Sequence, residues 1–416
     1  MEKVSGRGTI ARMRLAPTSS AVVLAATTAV QVAAALAVLT LPAVAPVVAS
    51  DFGVPASTVG TYISLVYVGA ALAALLAGSA VLRLGALRLS QIALLLCAAG
   101  LLLGLAPLLW LAGAAAIVLG LGYGPVTPAS SHLLTQTVSA ANRNLVFSIK
   151  QTGVPAGTAL AGVLVPPLTV VFGWQVAVAV VAVACLAIAL LVQPLRKVLD
   201  ADRDRAAQVS LRTLANGLRL VAGTPRLRTM AAVSFVYAGM QMCVSAFVVA
   251  YLADEVGLPL VTAGLALTTA NAAGIAARIA WGSVADRWLA PRTTLALIGW
   301  LMAAASGAAA LFDAGWSLAP LLLVCAALGA TAIGWNGVYL SEVARLAPPG
   351  RAAVATGGCL FFTFVGVVCC PFLFGWLQRA SGSYALCYAV SAVACAAVAA
   401  LLSGRDKELS SPSGSA

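Results

Sequence analysis

Charge is scarce in this sequence of 416 residues: Asp, Glu, Lys and Arg make up 9% of it, where a soluble globular domain carries about 25%. A water-exposed domain is thereby excluded. Histidine is scarcer still, with His132 alone, and the long apolar runs described below contain no carboxylate. No metal site, nucleophile–base pair or phosphate-binding loop can be assembled from such a chain, so it is read as neither an enzyme nor a metalloprotein, and no cofactor is expected. The nine cysteines (Cys97, Cys185, Cys243, Cys325, Cys359, Cys369, Cys370, Cys387 and Cys395) all fall in apolar segments without CxxC spacing. They read as small apolar packing residues rather than as ligands or disulfides.

Apolar residues are what the chain has in excess, at 62% with a mean hydropathy of +1.03. A membrane-crossing helix needs about 20 of them in succession, and polar or Gly/Pro breaks leave room for twelve. The first six lie near residues 21–49, 58–82, 89–108, 109–134, 145–170 and 174–193; the second six lie near 229–252, 260–283, 293–312, 317–341, 352–377 and 383–403. The runs are too long for strands and lack the alternation of a membrane barrel, so they are helices whose backbone groups are satisfied internally. The run after the basic N-terminus exceeds the 7–15 residues of a signal-peptide core and reads as a retained first span.

The cations fix an expected topology. All Lys and Arg except Lys150, Arg278 and Arg379 fall before the first span, in alternate loops, or in the tail. By the positive-inside rule both termini and the central loop are cytoplasmic. The net charge of +12 follows from that bias, and no nucleic-acid partner is needed to explain it. The expected organisation is a cytoplasmic N-terminus (residues 1–20), a six-helix bundle (21–193), a cytoplasmic linker (194–228), a second six-helix bundle (229–403) and a cytoplasmic tail (404–416).

The two halves repeat. Gly78-Ser79 followed by Arg83 matches Gly282-Ser283 followed by Arg287 at an offset of 204; Gly124 and Gly334 match at 210, and Arg143 and Arg351 at 208. Repeated six-helix halves place a substrate site near the midplane between them. Gly282-Ser283-Val284-Ala285-Asp286-Arg287 fits the GxxxDR loop signature of the major facilitator superfamily, which the chain resembles from about Ala21 to Ser403. The first copy, Gly78 to Gly85, has Leu82 where the signature has its aspartate. The resemblance implies an all-α, twelve-helix fold, alternating access, and a gating loop formed by Gly78, Arg83, Gly282, Asp286 and Arg287.

An ionisable group inside the bilayer costs at least about 2.5–3.5 kcal/mol and is normally partnered. Lys150 and Arg278 lie inside spans that offer them no carboxylate, and a negatively charged passenger is the simplest missing partner. Arg278 resembles the span-8 arginine that monocarboxylate transporters of the superfamily use for the substrate carboxylate, although Gly274 stands where those proteins have an aspartate. Gly153, Pro155 and Gly157 after Lys150 resemble the span-5 antiporter motif. The superfamily's cavity is lined by spans 1, 4, 7 and 10, which adds Gln31, Gln241 and Asn336 to Asn271 of span 8 as polar candidates, with Tyr123 and Trp335 beside the matched glycines as walls. His132 has no carboxylate near it in sequence and reads as structural. The expected function is a secondary transporter of the bacterial inner membrane, working as a monomer on a small organic anion, with proton symport compatible but no carrier residue identified. Efflux of neutral or acidic amphiphilic drugs through the same fold is the alternative.

Overall fold

A computed structural model describes residues 19–55, 58–204, 206, 211–313 and 315–404. The basic N-terminus before Ser19, Arg205 and the tail from Arg405 lie outside the described residues. Those described are helical, without strands. The helices are α1 (Ser20–Asp51), α2 (Val59–Leu84), α3 (Ala86–Leu103), α4 (Leu109–Thr137), α5 (Ala140–Phe172), α6 (Trp174–Leu199), then α7 (Pro225–Asp254), α8 (Leu260–Arg287), α9 (Pro291–Ala309), α10 (Leu318–Leu346), α11 (Ala352–Ser381) and α12 (Tyr384–Ser403). They form an all-α membrane protein with twelve transmembrane helices in two six-helix bundles. Ten of them are long and apolar enough to cross a bilayer by those criteria alone. The other two, α8 and α9, have the length, with 28 and 19 residues, but are diluted by Thr268, Thr269, Asn271 and Arg278 in one and Arg292, Thr293 and Thr294 in the other.

Five spans are interrupted: α1 at Leu41-Pro42, α4 at Gly124-Pro125, α5 at Thr152, α6 at Val192, and α10 between Ala332 and Asn336. Proline has no N–H and clashes with the preceding turn, which accounts for the first two. Three of the five interruptions lie near mid-span, where a carbonyl freed from its ladder becomes available to a side chain.

The charged ends are more helical than the apolar runs imply. The GxxxDR segment is not a loop: α8 stays helical through Arg287 and α2 through Leu84. Likewise α10 runs on to Leu346, which places Glu342 within a span, 2% exposed. The absence of carboxylates from the spans is therefore corrected. Glu342 is tolerated because Arg345 holds it through two bonds, Nε to Oε2 at 2.7 Å and Nη2 to Oε1 at 2.6 Å. The segment between the bundles is also shorter than 194–228, because α6 extends to Leu199 and α7 begins at Pro225. It contains a helix, Leu211–Gly223, that packs on α2, α7 and α11.

The two halves join on the face that carries this linker. There α2 packs on α11, α5 on α8 and α10, and α4 on α11. Backbones come very close at Gly357, where a Cβ would meet the Ala74 carbonyl, and at Gly282 and Gly337, where it would meet Ser148. Toward the opposite face the halves part. The second segment of α5 (Gly153–Phe172) buries only the stripe Gly153, Gly157, Ala161, Val165 and Thr169, and α8 exposes Thr268, Asn271, Ala272, Ile275 and Ala276.

Candidate functional site

Two cations are buried near the seam between the halves. Lys150 is 1% exposed and Arg278 2%, so neither reaches for an interface. The Lys150 ammonium donates to Gln31 Oε1 at 2.6 Å, Gln151 Oε1 at 3.0 Å and Thr127 Oγ1 at 3.4 Å. Thr127 in turn donates to Gln31 Oε1 at 3.1 Å. One ammonium thus gathers α1, α4 and α5 of the first half around neutral oxygens.

Arg278 works across the halves. Its Nε donates to the Ile333 carbonyl at 2.9 Å and its Nη1 to the Gln151 carbonyl at 2.5 Å. Both acceptors sit at helix interruptions. In an unbroken α5 the Gln151 carbonyl would accept from the N–H of residue 155, but that residue is Pro155 and has none. Ile333 closes the first segment of α10, so its carbonyl too lies at the end of a ladder. The guanidinium therefore takes up two orphaned carbonyls, one from each bundle. It is a brace as well as a candidate ligand, and its neighbours here are backbone oxygens rather than acids.

The other predicted polar residues separate into pairs and singles. Asn336 Nδ2 donates to Gln241 Oε1 at 3.2 Å, joining α10 to α7. Asn271 is exposed, two turns from Arg278, and donates to its own helix at Leu267 O, 3.0 Å away. Tyr123 stands edge-on to Tyr67 and tilted against Phe364, with ring centroids 6.3 and 6.2 Å apart; Tyr67 and Phe364 are 5.8 Å apart. This trio plugs the seam between α2, α4 and α11. Trp335 does not wall an opening. It is fully buried, edge-on to Tyr237 and Tyr339, with its indole N–H on Ala332 O at 3.0 Å. Gly334 leaves room only for packing within the second half, so Trp335 is a core residue.

Of the residues expected to form the gating loop, Asp286 makes the clearest contacts. Its carboxylate accepts from the backbone N–H groups of Asn144 (3.1 Å) and Leu145 (2.8 Å) and from Asn144 Nδ2 (2.7 Å). A carboxylate from the second half thereby caps the N-terminus of α5's first helical segment in the first half, where free N–H groups and the helix dipole favour negative charge. The repeat-related position is Leu82, which offers no carboxylate to the start of α11. Gly78 lies in close approach to Val354. Arg83 and Arg287 lie on the last turns of α2 and α8.

Sequence reasoning missed the residues that hold the linker. Asp200, 4% exposed, caps α3 through the N–H groups of Leu87 (2.8 Å) and Arg88 (3.0 Å). Gly85 before it has φ +93, and a Cβ there would strike the Asp200 carboxylate. Burial pushes the Asp200 carboxyl up from its ordinary range, against those backbone N–H bonds. Asp202 meets His132 Nε2 and Gln136 Nε2, each at 2.7 Å. Burial would raise that carboxyl too, but the hydrogen bonds from His132 and Gln136 outweigh it and hold it below the ordinary range. His132 thus has a carboxylate partner that lies 70 residues away in sequence. Gln151, missed as well, is signalled in retrospect by Pro155 four residues on.

The sequence profile of the Major Facilitator Superfamily matches residues 27–357 and again 230–416. No curated protein matches the chain. Among solved structures the fold resembles the E. coli fucose:proton symporter FucP, with 17% identity over 92% of this chain and 98% of that one and a TM-score of 0.73. It also resembles FucP in the outward conformation, with 17% identity over 91% and 97% and a TM-score of 0.72. The human organic anion transporter MFSD10 is similar as well, with 14% identity over 92% and 99% and a TM-score of 0.72.

Proposed function

This chain belongs to the Major Facilitator Superfamily, and from that membership we propose that it is a secondary active transporter that carries a small organic anion, most simply a carboxylate, by alternating access. The bundles are assigned to α1–α6 and α7–α12, and the linker face to the cytoplasm of a bacterial inner membrane, because the cations of the alternate loops gather there. On that assignment the structure is closed to the cytoplasm and open outward.

One observation carries the choice of passenger. Lys150, buried within the first half, and Arg278, buried across the seam, meet neutral oxygens only. Two positive charges in a low-dielectric seam raise the electrostatic potential at the floor of the opening, and an anion entering from the open side lowers the energy of both. Guanidinium offers a carboxylate two parallel donors, and ammonium a third. Gln31, Thr127 and Gln151 then supply the polar contacts that orient the cargo, with Asn271 on the approach and the Asn336–Gln241 pair on the second half's side. Symport with a proton is the form of coupling that cancels the anion's charge during translocation.

The test is uptake of radiolabelled small monocarboxylates and dicarboxylates into proteoliposomes, with a neutral sugar and an amine as controls. Saturable carboxylate uptake that falls at least tenfold in Lys150→Ala supports the reading. Uptake of the sugar alone, or raised tolerance to amphiphilic drugs on overexpression that is unaffected by Lys150→Ala, refutes it.

A further inference from the structure

A carbonyl without its helical partner, a fully buried arginine, and a seam between two bundles meet at one point. We propose that Arg278 is the mid-membrane bolt of the closed linker face, engaged through the Gln151 carbonyl that Pro155 sets free, and that an anionic passenger withdraws the bolt. The second clause rests on the anion reading above; the first does not.

The geometry sets the roles. Arg278 Nε stays within its own half, on Ile333 O at 2.9 Å, whereas Nη1 crosses to Gln151 O in the other. The crossing bond is charge-assisted and shielded from water, which makes it stronger than a neutral bond at a surface. It lies about one turn from the cross-half packing of Ser148 on Gly282 and Gly337, so it closes the membrane end of the same contact that Asp286 closes at the linker end. Opening the linker face pulls α5 from α8 and must break this bond.

The acceptor is poised because it has nowhere else to bond. With an N–H at residue 155 the Gln151 carbonyl would be drawn back into the α5 ladder. Gln151 also joins the two cations, since its side-chain oxygen accepts from Lys150 while its main-chain oxygen accepts from Arg278. A carboxylate bound between Lys150 and Arg278 competes with both. The guanidinium can satisfy its donors on the passenger, and the halves lose their tie when the site is filled.

Ser148 is a suitable reporter. It is fully buried in the closed seam, and its hydroxyl has no hydrogen-bond partner, so Ser148→Cys removes no bond. The experiment measures labelling of Ser148→Cys by a soluble maleimide applied from the linker side, corrected for the parent with its native cysteines, in otherwise wild-type, Pro155→Ala and Arg278→Lys backgrounds. Circular dichroism and melting temperature establish that each is folded. Without any substrate, Pro155→Ala and Arg278→Lys are each expected to raise the labelling rate roughly tenfold, the change produced by losing one charge-assisted bond. Rates equal to the parent in both folded variants overturn the bolt. A rise in Arg278→Lys alone overturns the role of Pro155, because it assigns the effect to Ile333.

Addition of small carboxylates, acetate through citrate, then tests the second clause. Labelling in the wild-type background should rise with carboxylate and stay flat in Arg278→Lys. Rates insensitive to every carboxylate, together with the substrate-free rise in Pro155→Ala, refute the anionic passenger and leave the bolt standing.

Discussion

Replacing Asp286 by asparagine should loosen the linker face by a calculable amount. The carboxylate accepts bonds at 3.1, 2.8 and 2.7 Å from two backbone N–H groups and one side chain at the start of α5. Loss of an N-cap costs about 0.5–2 kcal/mol, and loss of the negative charge at the helix N-terminus about 0.3–1 kcal/mol. Asparagine keeps one acceptor of similar shape, so the net cost in the closed state is about 1–2 kcal/mol, a factor of roughly 5–30 in the ratio of closed to open molecules. The open state loses nothing, because there α5 and α8 are apart. Double electron–electron resonance between nitroxides at Asn142→Cys and Trp288→Cys, both exposed in this structure on either side of the latch, reads that ratio directly. The long-distance population should grow by that factor in Asp286→Asn. A distance distribution superimposable on the parent's, in a protein with an unchanged melting temperature, would show that Asp286 caps α5 without holding the halves together.

Three further outcomes follow from named contacts. Lys150→Met should lower the melting temperature, because the Gln151 side-chain oxygen loses its buried donor, at about 1–3 kcal/mol, and Gln31 keeps only Thr127; Lys150→Arg should restore most of it, and equal melting of all three refutes the network. Glu342→Gln leaves the half-exposed Arg345 without its bidentate partner and, discounted for that exposure, should destabilise by about 1–2 kcal/mol in urea titration; no shift in midpoint refutes the pairing. Because the Asp202 carboxyl is held below its ordinary range in the folded state, its stabilising contribution is present above the unfolded value of about 3.9 and is lost as pH falls through the folded one. Asp200 is raised, so its contribution has the opposite sign and is lost as pH rises. Melting temperature against pH should therefore fall less steeply below pH 4 in Asp202→Asn than in the parent; parallel curves would remove Asp202 from the linker's docking.

Much of this molecule was legible before any coordinates. Solvent alone dictates that a chain with 9% charged residues and apolar runs of span length be a helical membrane protein, since only helices or closed barrels satisfy the backbone in lipid. The repeat and the GxxxDR residues then pointed to the superfamily. The presence of two unpaired cations in the spans was also a property of sequence, because no carboxylate lies near either in the chain. What each cation touches was not. Asp286 binds a helix start 142 residues away and Arg278 a carbonyl 127 residues away, and no local pattern encodes such pairings. Trp335, beside a repeated glycine, was read as a cavity wall because a glycine–aromatic pair is the same in sequence whichever way the helix faces. Rotation about the helix axis is set by packing, and packing turned that ring into the core. The lost carboxylate at Leu82 could be read from the chain, but Asp200 and Asp202, which fasten the linker to the first half, could not. Composition and periodicity thus determined the solvent, the element type and the number of spans. Only the folded arrangement decided which polar groups face one another, because their pairing depends on contacts between segments that the chain places far apart.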